Sequence, residues 1–363
     1  MRFLVVKMSS LGDIIQTWPA LSMAKRLVPA LQVDWALESE YVDLMQAHPL
    51  VEQVIAVPFR TLRKKSWFSS IQRGELQASW RKLKADIAAS DYDAVIDFQG
   101  LMKSAIVCRL ARGKPAIRHG WQASASREPL AALFYDRQHK GLHYKAQHAV
   151  LRYMSLMGDV LQDFQTSSSQ HQIGIDYGLD IKALTDSHHP ISNLLEASDD
   201  LKRAIIDHQP EGWDMSPART SVVWLLHGSA RAEKCWDEAL WIRLGQALSE
   251  RGYRCAIAWG SVVEHQRARR MVEAIPHAWM PSSRPDYPTW MHLFVRAKLA
   301  VGVDSGLLFL AAACQLPTLG LYLATSPDHV GVMAKTPHKN LEGALTADRV
   351  FEEALALLHS EPC

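Results

Sequence analysis

Apolar and polar positions fall in blocks along this chain, and the blocks set a repeating strand, turn and helix rhythm. Phe3 to Val6 is an unbroken, partly β-branched apolar run that suits a buried strand. Lys7 to Asp13 interrupts it with small, polar and charged residues. From Ile14 onward apolar residues return at helical spacing, at Ile14, Ile15, Trp18 and Leu21. The same rhythm predicts strands at Val33 to Leu37, at Val54 to Val57 (ended by Pro58) and at Tyr92 to Asp97. Phe98-Gln99-Gly100-Leu101 reads as the turn after the last of these, with a helix beginning at Lys103-Ser104. Gln165 to Gln172 is Ser/Gln-rich, and Pro190, Pro210 and Pro217 punctuate the stretch up to residue 220, with helical fragments around Leu194 to Ile206. The rhythm then resumes. Strands are predicted at Ser221 to Leu226, Arg254 to Trp259, Leu299 to Val303 and Thr318 to Tyr322. Helices are predicted at Glu238 to Arg251, Val263 to Ala274, Leu307 to Cys314 and Val350 to His359. The pattern predicts an α/β protein in two doubly wound halves, residues 1–164 and 221–346. Residues 165–220 are a linker or insert, and 347–363 carry a terminal helix.

Composition narrows this picture. The 363 residues are 48% hydrophobic and 21% charged, enough to build packed cores and too apolar for wholesale disorder. A formal charge of +2 does not by itself argue for nucleic acid. The five cysteines, Cys108, Cys235, Cys255, Cys314 and Cys363, are scattered with no C-x-x-C, which fits a reducing cytosol better than a disulfide framework or a zinc ribbon. The first apolar run is too short for a signal peptide, and no run reaches the ~18 residues of a membrane span. The expected location is cytoplasmic, with any membrane contact peripheral.

Candidate chemistry clusters where predicted strands end, which is where open α/β sheets bind ligands. The turn after the first strand offers free backbone N–H groups at a helix N-terminus, a setting that favours anions, and Gly12 allows close approach. It contains no G-x-x-x-x-G-K-[ST] and no G-x-G-x-x-G. Asp13 reads two ways there, as a helix cap or as a catalytic carboxylate with Lys7 setting its charge. Residues 60–84 form a basic block (Arg60, Arg63, Lys64, Lys65, Arg73, Arg81, Lys82, Lys84) interleaved with Trp67, Phe68 and Trp80. It is either a solvated helix face or a site for an anionic partner, and no RNA- or DNA-binding motif accompanies it. His139, His143 and His148 lack helical continuity because Gly141 interrupts them, so no metal is expected.

In the second half, His227-Gly228-Ser229-Ala230-Arg231-Ala232-Glu233-Lys234 comes directly after a strand. Gly228 and Ser229 supply donors suited to phosphate, and Lys234 supplies charge. Glu264 falls in a first helical turn, serving either the helix dipole or ribose hydroxyls. Val301-Gly302-Val303-Asp304-Ser305-Gly306-Leu307 is strand, turn and helix, with N–H groups suited to a pyrophosphate. Asp304 belongs beside phosphate only if it orients a donor or accepts a sugar hydroxyl, and Asp-Ser is also an ordinary cap.

Taken in order, KMSSLGDIIQTWPAL, FRTLRKKSWFS, YDAVIDFQGLMKSA, SREPLAALFYDRQH, QHAV, LHGSARAEKCW, WGSVVEHQRA and VGVDSGLLFLAA resemble the ADP-heptose:lipopolysaccharide heptosyltransferases of glycosyltransferase family 9. The resemblance spans nearly the whole chain outside roughly 165–220. It implies a GT-B fold: two Rossmann-like domains facing across a cleft, acceptor-binding first and nucleotide-sugar-binding second, with the terminal helix packing back toward the first. It implies inverting, metal-independent transfer of L-glycero-D-manno-heptose from ADP-heptose to Kdo-lipid A, at the cytoplasmic face of the inner membrane and with no nucleic acid. Asp13 matches the catalytic base, with Lys7 holding it ionised. Ser229, Ala230 and Lys234 match the donor's phosphate grip, Glu264 the ribose contact, and Asp304, Ser305, Gly306 and Leu307 the loop around the donor. Ser10, Gly12, Arg60, Arg63, Lys64, Lys103 and Arg127 match the acceptor side. Three places depart from the family pattern: Phe309 replaces a common His, Ser229-Ala230 replaces Thr-Thr, and Leu323-Ala324 replaces Gly-Pro. A related transferase using another nucleotide sugar or a later core acceptor therefore stands beside the leading reading, as does a non-catalytic sugar-nucleotide binder.

Overall fold

The computed structural model describes residues 1–59, 70–111, 116–164, 174–185 and 221–360, with the backbone alone over 70–76. The chain divides into two units, Met1–Gly178 and Leu179–Cys363. In the first, β1 (Arg2–Val6) leads into α1 (Leu11–Ile15) and α2 (Trp18–Leu27). The single helix expected from Ile14 is thus two, because Pro19 in the first turn of α2 cannot donate to a continuing ladder. Next come β2 (Gln32–Glu38), α3 (Val42–Gln46), β3 (Gln53–Val57), α4 (Ser70–Ala88), β4 (Ala94–Asp97) and α5 (Met102–Cys108). β5 (Ile117–Trp121), β6 (Arg137–His139) and α6 (Ala149–Asp163) complete the unit.

All six strands pair in parallel in the order β3-β2-β1-β4-β5-β6, with Phe3 beside Val33 and Ala94. β1 is buried along Phe3 to Val6, as expected of a strand covered on both faces. The order reverses between β1 and β4, so their carboxyl ends flank the ligand-binding crevice of a Rossmann sheet.

The second unit opens with α7 (Ile181–Thr185). It continues through β7 (Val222–Leu226), α8 (Glu238–Glu250), β8 (Arg254–Ile257), α9 (Val262–Ala274) and α10 (Tyr287–Phe294), on which α7 packs. β9 (Leu299–Val303), α11 (Gly306–Ala313), β10 (Thr318–Tyr322), α12 (Pro327–Val330), β11 (His338–Glu342) and α13 (Ala347–Leu358) complete it. The parallel order β11-β10-β9-β7-β8 reverses between β7 and β9. Ala347, Val350 and Ala354 of α13 are buried in this unit's own core, alongside Leu244 and Leu248 of α8.

The first unit extends beyond the predicted boundary at residue 164. Its closing segment is held by His48, whose Nε2 is 3.0 Å from the Tyr177 carbonyl. The Leu50 N–H donates to His48 Nδ1 at 3.3 Å, so the neutral ring must donate through Nε2. Burial pushes the His48 pKa down to about 4. The unfolded chain binds the proton more readily, so this contribution is complete above pH ~6.5 and is lost as pH falls toward 4, by up to about 3 kcal/mol. Thermal melting should therefore show a falling midpoint from pH 6.5 to 4, with a shallower slope in His48→Gln.

Candidate active site

At the reversal point of the first sheet, the loop after β1 is anchored by the loop after β4. Gln99 Oε1 accepts from the backbone N–H of Met8 at 2.9 Å and of Ser9 at 3.1 Å. Asp97, buried at the end of β4, accepts from the N–H groups of Gln99 (2.8 Å) and Gly100 (3.0 Å) and from the Tyr135 hydroxyl (2.8 Å). Burial keeps its carboxyl above the ordinary value in spite of these bonds. Gly100 takes φ +66°, a turn that glycine makes without strain.

Both readings of Asp13 are present, one on each oxygen. Oδ2 accepts from the Ser10 N–H at 3.0 Å and the Ser10 hydroxyl at 2.8 Å, closing the first turn of α1. Oδ1 faces the Lys7 ammonium at 3.8 Å and the Tyr153 hydroxyl at 3.5 Å, the latter long for a hydrogen bond. A third of the Asp13 side chain remains exposed. Burial acts to raise its pKa, but the Lys7 charge, the two Ser10 bonds and the charge of Arg127 outweigh it and hold the carboxyl below the usual aspartate value.

Lys7 is buried, and its Nζ donates to the Tyr153 hydroxyl at 2.8 Å and toward the Phe98 carbonyl at 3.5 Å. The ammonium also lies 4.7 Å from the Tyr153 ring centroid, within cation–π range. Burial alone would lower the Lys7 pKa; Tyr153, the Asp13 carboxylate and the charge of Asp97 raise it above the ordinary value, so the group stays charged. Tyr153, on α6, is the member that sequence reasoning missed. It lies on a helix the sequence reading did not pick out, and the available signal is its hydroxyl, which a buried tyrosine must pair.

The acceptor-side candidates divide. Ser10 ends this loop as the N-cap of α1, Gly12 lies in the first turn of α1, and Arg127 is exposed and reaches Asp13 through its charge. Lys103 instead pairs with the buried Glu38 at 3.4 Å. Arg60, Arg63 and Lys64 lie outside the described residues.

In the second unit the carboxyl ends of β7 and β9 flank the reversal point, and the Ser229 hydroxyl donates across it to the Asp304 carbonyl at 3.3 Å. Asp304 has two donors to orient: Lys234 Nζ at 2.6 Å and the Thr325 hydroxyl at 2.8 Å, both on Oδ2. Thr325 was not legible in the sequence because it lies after β10, a different strand. Ser305 is the N-cap of α11, and its buried hydroxyl has no partner among the described residues. Gly306 and Leu307, half-buried, form the first turn of that helix, whereas Ala230 is exposed.

Glu264 Oε2 accepts from the N–H groups of Gly260 (2.7 Å) and Ser261 (2.9 Å), capping α9. Its other oxygen lies so close to Gly228 that a Cβ there would collide with it. Phe309, at the position departing from the family pattern, is buried in α11.

Paired Rossmann-like sheets, one in the order 3-2-1-4-5-6 and the other with its first strand one in from the edge, are the architecture of the GT-B glycosyltransferases. The chain belongs to glycosyltransferase family 9, the heptosyltransferases, whose family model matches residues 80–353, and it is an enzyme of that class. It is 35% identical over 336 residues to lipopolysaccharide heptosyltransferase 1 of Pseudomonas aeruginosa, covering 93% of this chain and 82% of the relative. To the Escherichia coli K12 protein of the same name it is 33% identical, covering 98% and 100%. The solved structure of E. coli heptosyltransferase WaaC with ADP superposes with a TM-score of 0.76 at 30% identity, covering 98% of this chain and 100% of that one. WaaC with ADP-2-deoxy-2-fluoro heptose gives 0.74 at the same identity.

The Lys234–Asp304 pair is largely enclosed, at 17% and 7% side-chain exposure. Replacing Lys234 with Met should strand the carboxylate and cost the second unit about 3 kcal/mol in urea unfolding, with much of the loss recovered when Asp304→Asn is added.

Proposed function

We propose that this enzyme moves L-glycero-D-manno-heptose from ADP-heptose to a Kdo hydroxyl of Kdo-lipid A in the lipopolysaccharide inner core, inverting the anomeric carbon. The observation that carries the mechanism is the split carboxylate of Asp13. One oxygen is committed to Ser10, and the other stands beside a buried ammonium on a partly exposed side chain. A carboxylate held ionised in this way can take the proton of an attacking hydroxyl. The acceptor oxygen bonds to the anomeric carbon as the bond to the ADP phosphate breaks, the proton passes to Asp13 Oδ1, and ADP departs with the electron pair. This is the single displacement of inverting glycosyl chemistry with a sugar hydroxyl in place of water.

The donor assignment draws on the relative solved with a fluorinated ADP-heptose and on the second unit's loops. Lys234, the unpartnered Ser305 hydroxyl and the N–H groups that open α11 offer positive charge and donors to a departing diphosphate. Asp304 and Thr325 fix where the Lys234 ammonium stands, and Glu264 has one oxygen left for a ribose hydroxyl. In this reading transfer proceeds without a catalytic metal, and Arg60, Arg63, Lys64 and Arg127 meet the acidic acceptor. The lipid acceptor places the work at the cytoplasmic face of the inner membrane by peripheral contact; no helix among the described residues is long and apolar enough to cross a membrane. A different nucleotide sugar is the second reading, favoured by Ala230 and Phe309, and a panel of donors separates the two.

Mass spectrometry of Kdo-lipid A incubated with ADP-heptose should show one added heptose, at a rate unchanged by added Mg2+. Asp13→Asn keeps an acceptor for Ser10 and should slow transfer about 10³-fold with donor affinity nearly unchanged. Turnover close to wild type would sink the base assignment. In Tyr153→Phe the loss of the hydroxyl weakens the hold on the Asp13 carboxylate, so the acid limb of the pH–rate profile should move to higher pH.

A further inference from the structure

Away from the Asp13 loop, three side chains from three elements converge at the β6 edge of the first sheet. His119 lies in β5, His139 ends β6 and Asp163 ends α6. One donor atom from each falls within 4.8 Å of the other two. His119 Nδ1 is 2.9 Å from His139 Nε2 and 3.7 Å from Asp163 Oδ2. Ligands bound tetrahedrally at ~2.0–2.1 Å stand about 3.3 Å apart, so these two separations bracket the spacing a single ion requires. The remaining nitrogen of His139, Nδ1, faces Asp159 Oδ2 at 3.8 Å. A carboxylate behind a ligating imidazole is the usual means of fixing its ring and tautomer. Asp159 and Asp163 are one turn apart on α6 and so present two negative charges to the pair. Arg137 on β6 opposes them with one positive charge.

His119 is fully buried while a third of Asp163 is exposed, leaving a side from which an ion can enter and keep a water. Sequence spacing groups His139 with His143 and His148. Its partners in the fold are 20 and 24 residues away, and His148 instead caps α6 by accepting from the Val150 N–H at 3.2 Å.

We propose that His119, His139 and Asp163 form a structural site for one divalent ion of the zinc type, with Asp159 orienting His139. Two nitrogens and one oxygen select such an ion over Mg2+ or Ca2+, which take oxygen ligands. The ion fastens β5 and β6 to the end of α6. Tyr153 lies ten residues back on that helix, about 15 Å away, so the clamp steadies the element that carries it without entering the chemistry.

Tag-free, full-length protein stripped with chelator and titrated with Zn2+ alone tests this by calorimetry and thermal melting. One equivalent should bind, and the melting midpoint should rise by several degrees. Asp163→Asn and His139→Gln should each weaken this binding at least about tenfold, whereas His143→Gln should not. The exposed Asp163 keeps the test open if the buried histidine variants fail to fold. No stoichiometric binding, or binding equal to wild type in Asp163→Asn, overturns the proposal.

Discussion

A lysine withdrawn from water must find negative charge or give up its proton, and the first unit is arranged around how Lys7 keeps its own. Its ammonium has the Asp13 carboxylate on one side, the Tyr153 hydroxyl and ring on another, and Asp97 near enough for its charge to matter. These groups come from the β1 loop, α6 and β4, so the charge ties together elements that the chain order separates. Isolated ions of this kind cost several kcal/mol to bury, and only partners in good geometry repay it. The loop after β1 therefore has little freedom, and Gln99 removes more by holding Met8 and Ser9.

The second unit uses the same pair of charges differently. There the lysine arrives from the loop after β7 and the carboxylate from the end of β9, closing the gap at the strand-order reversal. Lys234 is bound tightly by Asp304, with Thr325 on the same oxygen, so the carboxylate serves to aim a cation. In the first unit the lysine is the support and the carboxylate keeps a face toward solvent. From nearly the same βα turn, one sheet thus leaves a carboxylate partly open to solvent and the other encloses an ion pair.

Most interior strands were legible because being covered on both faces demands continuous apolar runs, as Phe3 to Val6 and Leu299 to Val303 show; β5 is the exception, its Arg118-His119-Gly120 reading as a polar loop. Two of the four edge strands, β6 and β11, were not legible, whereas β3 and β8 were. Arg137–His139 and His338–Glu342 are polar because one side of an edge strand meets solvent. α6 and α10 were missed although both are amphipathic, the second because its Pro288 reads as punctuation when it in fact occupies a tolerated first-turn position. Of the site, Lys7, Asp13, Ser229, Lys234, Glu264 and Asp304 could be named from strand ends. Tyr153, Gln99 and Thr325 could not, because each reaches its partner across a distance in sequence that no local pattern encodes. The Glu38 partner of Lys103 was hidden for the same reason.

The clamp of Ser10 on one oxygen of Asp13 bears on how this loop can be re-engineered. An alanine at position 13 deletes a charge and a helix start together, so its loss of activity would confound chemistry with misplacement. A glutamate can still cap the turn, as Glu264 does for Ser261 in the second unit, but it carries its other oxygen one methylene away from the place Asp13 holds beside Lys7. Asparagine is the one exchange that separates the two duties, because its amide oxygen can still receive both Ser10 bonds while its nitrogen is no base. In the proposed mechanism a change at position 13 thus moves the cap and the base together, and the strength of the base is better adjusted through the neighbours that set its field.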